Sequence, residues 1–152
     1  MAKTSSLIKQ LKSSYPQFKF EESDGYSWSP SQNTIFYVAN KLDPAFIVHE
    51  LAHALLGHTS YNQDIELIPM ERDAWGEATK LGLELGIKIP NETIESNLDS
   101  YRDWMHARST CPDCEATGLQ IKKHAYKCPA CMKTWRVNDA RVCGLKRYLD
   151  KQ

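Results

Sequence analysis

The sequence is short of several things, and each shortage narrows what it can be. No apolar run approaches the roughly 18 residues that a membrane span needs, so no membrane partner is expected. The opening Met1-Ala2-Lys3-Thr4-Ser5-Ser6 leads into no long apolar core, which argues against a signal peptide and for a cytoplasmic, reducing setting. Asn91-Glu92-Thr93 fits a glycosylation sequon, but without secretion it is a chance match. Internal repeats and low-complexity tracts are absent. Cysteine is sparse: five residues, four of them in two close pairs. In a reduced compartment such pairs are metal ligands before they are disulfides. Net charge is zero over 152 residues. That length suits one compact domain with a small appendage.

What is present centres on Phe46-Ile47-Val48-His49-Glu50-Leu51-Ala52-His53-Ala54-Leu55-Leu56-Gly57-His58. Asp43 is a fitting N-cap, Pro44 a fitting first helical residue and Gly57 a fitting stop, which predicts a helix over about 44–56. The helix is apolar nearly all round, as a buried helix is. Residues four apart share a face, so His49 and His53 can address one metal ion, and Glu50 lies one step round. Imidazole suits zinc, and an open zinc position with a carboxylate beside it is the minimum equipment of a metalloprotease. The bland alternative is a core helix whose polar groups satisfy one another. Burying two His and a Glu is costly unless something such as a metal partners them.

Before this helix, residues 4–14 read as a short helix with Leu7, Ile8 and Leu11 inward. Three extended pieces follow: Phe18-Lys19-Phe20, Tyr26-Ser27-Trp28 and Thr34-Ile35-Phe36-Tyr37-Val38. Turn residues at Asp24-Gly25 and 29–33 separate them, which predicts a small antiparallel sheet. The last piece is expected to offer an edge for an extended substrate. A loop over 58–67, a helix over about 69–85 ended by Gly86, and a helix over about 92–108 complete the body. The expected boundary is at Ser109-Thr110, giving domains 1–109 and 110–152.

Two His do not complete a catalytic zinc site, which usually has three protein ligands. His58 lies five steps after His53 and beyond a helix-breaking Gly57, off the His49/His53 face. A metzincin would need Gly three residues after the second His and His six after it, but Leu56 and Thr59 stand there. On the next helix, Glu71 falls on the inward stripe of Ala74, Ala78, Leu81 and Leu85. Asp73, Glu77, Lys80 and Glu84 form a solvated row instead. Glu71 is therefore the expected third ligand with Asp73 in reserve; otherwise Glu71 is an ordinary first-turn acid. Two His and one Glu is the thermolysin-type set.

With Glu71-Arg72-Asp73-Ala74 opening the next helix, residues 34–86 resemble the ImmA/IrrE group of bacterial and phage metallopeptidases. The resemblance implies that His49, His53 and Glu71 bind zinc, that Glu50 is the catalytic base and that the substrate is one particular protein. The family's second helix usually begins Glu-x-Glu-Ala followed by Asp, Asn or Glu. Here Asp73 and Trp75 stand in the second and last acidic slots, so the His ligands must be oriented by something else. His58 and Tyr61 are candidate donors to a tetrahedral oxyanion.

Cys111-Pro112-Asp113-Cys114 and Cys128-Pro129-Ala130-Cys131 make C-x2-C-x13-C-x2-C, which looks like a zinc ribbon. Four thiolates leave no open position, so this second zinc is structural. Residues 111–152 carry 9 Lys and Arg against 4 Asp and Glu, a net of +5, while residues 1–110 carry 10 against 15, a net of −5. The basic tail suggests an anionic partner such as DNA, with basic residues interleaved with Tyr126 and Trp135 for backbone contacts and stacking. Equally, metal knuckles are often basic, with Trp135 merely packed against the ribbon. Cys143 reads as a small buried residue, and His106 and His124 as ordinary. A His-Glu-x-x-His body followed by a ribbon also resembles the SprT-like family, whose eukaryotic relatives digest proteins crosslinked to DNA. That family's third ligand is a His, and none lies between His58 and His106.

The expected fold is α+β: a small antiparallel sheet on zincin-type helices, plus a zinc ribbon. The expected activity is zinc-dependent endopeptidase cleavage of a specific protein, with two zinc ions per chain. The rival is a non-catalytic or DNA-associated zinc module.

Overall fold

The computed structural model describes residues 2–140 and 144–151. Cys143 lies outside the described residues. The chain is α+β: α1 (Ala2–Ser14), β1 (Lys19–Glu22), β2 (Ser27–Ser29), β3 (Thr34–Tyr37), α2 (Pro44–Leu55), a 3₁₀ turn (Asp64–Glu66), α3 (Leu67–Leu85), α4 (Asn91–Ser109), then β4 (Leu119–Lys122), β5 (Ala125–Lys127), β6 (Thr134–Val137) and β7 (Arg147–Leu149). Among the described residues, no helix is long and apolar enough to cross a membrane.

Two compact units divide the chain. The first is Met1–Thr59 with Arg72–Pro90, and the second is Ser60–Glu71 with Asn91–Gln152. The boundary expected at Ser109-Thr110 falls inside the second unit, which groups α4 and the 60–71 segment with the C-terminal sheet.

In the first unit the sheet is mixed rather than antiparallel. Its order is β1-β3-β2, with β1 parallel and β2 antiparallel to β3. Burial explains the order. Thr34, Ile35 and Tyr37 of β3 are buried, so β3 reads as a central strand, whereas β1 buries only Phe20 and keeps its charges at the edge. Both edges of β3 are therefore paired, which corrects the expectation that Thr34–Val38 offers an edge to a substrate.

Helix α2 starts as its sequence requires: Asp43 is the N-cap, its carboxylate accepting from Ala45 N at 3.0 Å, and Pro44 is the first residue. It packs on β2 and β3 and fully buries Ile47, Val48, Leu51 and Ala52. Ile47, Val48 and Leu51 each contribute roughly 1.5–3 kcal/mol by leaving water. Helix α3 begins at Leu67, earlier than expected, because the 3₁₀ turn feeds it. The Gln63 carbonyl accepts from Glu66 N at 3.0 Å, and the Glu66 carboxylate accepts from Asn62 N at 2.9 Å and Gln63 N at 3.3 Å. Pro69 is tolerated in the first turn, where its missing N–H has no helical acceptor to lose.

The second unit is built on the antiparallel sheet β4-β5-β6-β7. Its core is Cys111, Tyr126, Cys128, Trp135 and Val137. Tyr126 and Trp135 stack at 5.8 Å and 12°. Gly118 is required beside them, since a Cβ there would lie 2.3 Å from the Trp135 ring.

Candidate metal centres

The His-Glu-x-x-His spacing does what helical geometry demands. His49 and His53 are both buried on α2, and their Nε2 atoms face each other at 3.1 Å. Glu71, 5% exposed and the fifth residue of α3, completes a group whose ligand atoms all lie within 4.8 Å of one another. That group could hold a metal ion. Asp73 is exposed and is not among its members, as the phase of α3 requires. Glu50 is half-buried and also outside the group, one residue along α2 from His49. Tyr61 is half-buried in the segment ahead of the 3₁₀ turn.

Two orienting contacts were not foreseen from the sequence. The Trp75 ring, 1% exposed, stacks on His49 with centroids 4.0 Å apart and 24° between planes. The residue in the slot where an acid was missing thus fixes one imidazole by a flat apolar wall. The other imidazole is held by His58, whose Nδ1 lies 2.8 Å from Nδ1 of His53. Gly57 makes this possible. Its φ of +69° reverses the chain, with Gly57 N donating to Ala54 O at 3.1 Å and His58 N to His53 O at 3.0 Å. This is the helix-ending motif that a left-handed glycine permits, and it folds His58 back onto the last turn. Trp28 Nε1 then donates to His58 O at 2.9 Å and pins the loop. The contact gives His58 a positioning role beside its candidacy as an oxyanion donor. The signal available in the sequence was Gly57 itself, read as a reversal instead of a stop.

A His partner on the far nitrogen fixes which ring nitrogen faces a metal, and losing such partners typically weakens metal binding about 10- to 100-fold. His58→Ala is expected to show a weakening of that order at the His49–His53–Glu71 group, measured by competition with a chelator. Undiminished affinity would remove the positioning role.

The second group is Cys111, Cys114, Cys128 and Cys131. Cys111 and Cys131 Sγ are 3.7 Å apart, and Cys114 and Cys128 Sγ are 3.4 Å apart. The two knuckles are built alike. Glu115 N donates to Cys111 O at 3.0 Å and Met132 N to Cys128 O at 2.9 Å, with φ of 65° and 66° at Glu115 and Met132. The Cys131 N–H points at Cys128 Sγ at 3.5 Å. This backbone donor leads the interactions that lower the Cys128 thiol to about 7, favouring the thiolate a metal needs.

A buried polar cluster joins parts of the second unit. Arg108 Nε donates to Asp64 Oδ2 at 2.9 Å, with both side chains under 5% exposed. Tyr126 Oη donates to the same oxygen. Burial, then the bond to Asp64, raises the Tyr126 pKa, so the phenol stays a donor. Arg108 also reaches Asn138 O at 2.6 Å and lies 3.1 Å from His124 Nδ1, and Asp64 N donates to Gln120 Oε1 at 2.7 Å. His124 is thus part of a network.

No protein-family model, curated protein or solved structure matches this chain.

Proposed function

We propose that the protein is a zinc metalloendopeptidase of the ImmA/IrrE-like kind, cleaving a specific protein in the cytoplasm, with a zinc-ribbon appendage. The observation that carries the reading is the buried His49–His53–Glu71 group on two helices, with Glu50 beside it. The donor set and spacing suit zinc. Tetrahedral Zn–N bonds of about 2.0–2.1 Å place two nitrogens about 3.4 Å apart, near the 3.1 Å between the two Nε2 atoms. Zn–S bonds of about 2.3 Å place sulfurs about 3.8 Å apart, near the 3.4 and 3.7 Å between the paired thiols.

When bound at the first group, zinc would lower the pKa of a coordinated water to about 7 and polarise the scissile carbonyl. The chain's own residues supply the rest. His49 and His53 are held in orientation by Trp75 and His58. Glu50 takes the proton of the attacking water and returns it to the leaving amine. His58 and Tyr61 are the candidate donors to the oxyanion.

The testing experiment is zinc content per chain by native mass spectrometry, in wild type and in a His49→Ala/His53→Ala variant. Two ions falling to one is the expected result. One ion in both proteins would confine zinc to the ribbon and end the protease reading.

The rival, a DNA-binding ribbon, loses Tyr126 and Trp135 as stacking faces. Tyr126 and Trp135 are 1% and 0% exposed and stack on each other, so neither offers a face to a base.

A further inference from the structure

Within the second unit, a cleft of about 280 Å³ opens between strand β4 and the segment ahead of the 3₁₀ turn. Its lining is Asn62, Gln63, Gln120, Ile121, Lys122 and Lys123. We propose that this cleft is an acidic-peptide subsite, which takes a carboxylate side chain of an extended polypeptide lying along β4.

The chemistry of the walls is one-sided. Among the described residues no carboxylate lines the cleft, and the two charged residues there are adjacent lysines. Both lysines are exposed, and among the described residues neither is in an ion pair. Asn62 and Gln63 add side-chain amides, each carrying an NH2 donor. Gln120 is a fixed wall. Its Oε1 accepts from Asp64 N at 2.7 Å and its Nε2 donates to Lys122 O at 3.2 Å. The groups that face a visitor therefore include two ammoniums and amide N–H donors, which suit an anion.

The shape and apolar content favour a polypeptide. Among the described residues β4 is an edge strand, paired on one side only, and its Leu119 and Ile121 are 66% and 53% exposed. Exposed apolar side chains two apart on an open edge are a template for an added strand. A register shift between Gln120 and Lys122 breaks the pairing with β5 beside the two lysines. Nucleic acid is the weaker fit, because among the described residues no aromatic lines the cleft, and Tyr126 and Trp135 are buried. The net +5 of residues 111–152 adds a long-range attraction for an acidic segment.

The cleft's other wall, Asn62 and Gln63, belongs to the Ser60–Glu71 segment that carries the third ligand. Calling the bound peptide a substrate rests on the protease reading; the binding itself does not. The test therefore uses the full-length zinc-loaded chain with Glu50→Gln, so that hydrolysis plays no part. A fluorescein-labelled Glu-rich peptide is titrated at low salt and followed by anisotropy. Saturable binding is expected, weakened about tenfold by Lys122→Glu/Lys123→Glu, which reverses two charge contacts. Lys146→Glu/Lys151→Glu, with the same change in net charge, is expected to bind like the parent. No saturable binding overturns the proposal. So does equal weakening by both pairs, which would mean general electrostatics. A labelled single-stranded oligonucleotide that binds more tightly and displaces the peptide would make the cleft a nucleic-acid site. Zinc content of each variant shows that the Cys-bearing sheet remains folded.

Discussion

Glu50→Gln is expected to keep two zinc ions per chain and to lower peptide-bond hydrolysis by about 10²- to 10⁴-fold, the usual range for a positioned acid–base group. The separation follows from where Glu50 stands. It is not part of the His49–His53–Glu71 group, so losing its charge leaves the ligands intact. Gln matches it in shape and keeps an acceptor oxygen but cannot carry a proton between water and the leaving amine. His49→Ala acts differently, by removing a ligand. The measurement is a comparison of new protein N-termini in cells expressing wild type and Glu50→Gln. Cleavages present only with wild type are expected, and they also name the substrate. Cleavage that persists at full rate in Glu50→Gln would sink the mechanism. A general substrate such as casein is the wrong probe, because the reading is of a protease with one partner.

The second large effect is on stability. Arg108→Ala leaves the Asp64 carboxylate, 3% exposed, without its cation. Breaking one side of such a buried pair costs about 3–5 kcal/mol. For a chain of this size that lowers the melting temperature by roughly 6–20 °C. The matched control removes the whole cluster. Asp64→Leu with Arg108→Met and Tyr126→Phe leaves no orphaned charge or hydroxyl, and most of the loss is expected to be recovered. If Arg108→Ala shifts stability by less than about 1 kcal/mol, the pair behaves like an exposed one and the argument fails. Asp64 lies on the segment that carries Glu71. Arg108→Ala is therefore also expected to weaken metal binding at the first group, seen in the same chelator competition as for His58→Ala.

How much of this was legible depended on how local the cause was. Helix α2 could be read because Asp43, Pro44 and Gly57 mark its ends within the chain itself. Glu71 could be separated from Asp73 because phase along one helix is a local property, and the structure buries the first and exposes the second. The four cysteines declared themselves by spacing. Three things were not local. The parallel pairing of β1 with β3 skips the strand between them, and turn residues at Asp24-Gly25 say nothing about which neighbour a strand will take. Trp75 against His49 brings together residues on two helices, and composition marked Trp75 only as a lost acid. Asp64 looked like one more loop carboxylate, because its partners are far along the sequence.

That remoteness has a consequence for how the protein is made. Arg108, Gln120 and Tyr126 follow Asp64 by 44, 56 and 62 residues. At synthesis rates of about 5–20 residues per second, Tyr126 is polymerised roughly 3–12 s after Asp64. Throughout that interval the nascent chain already holds His49, Glu50, His53 and Glu71, while Asp64 still lacks its Tyr126 partner. Translation order thus sets a timer on the second unit: its buried polar cluster closes only once β5 has been made.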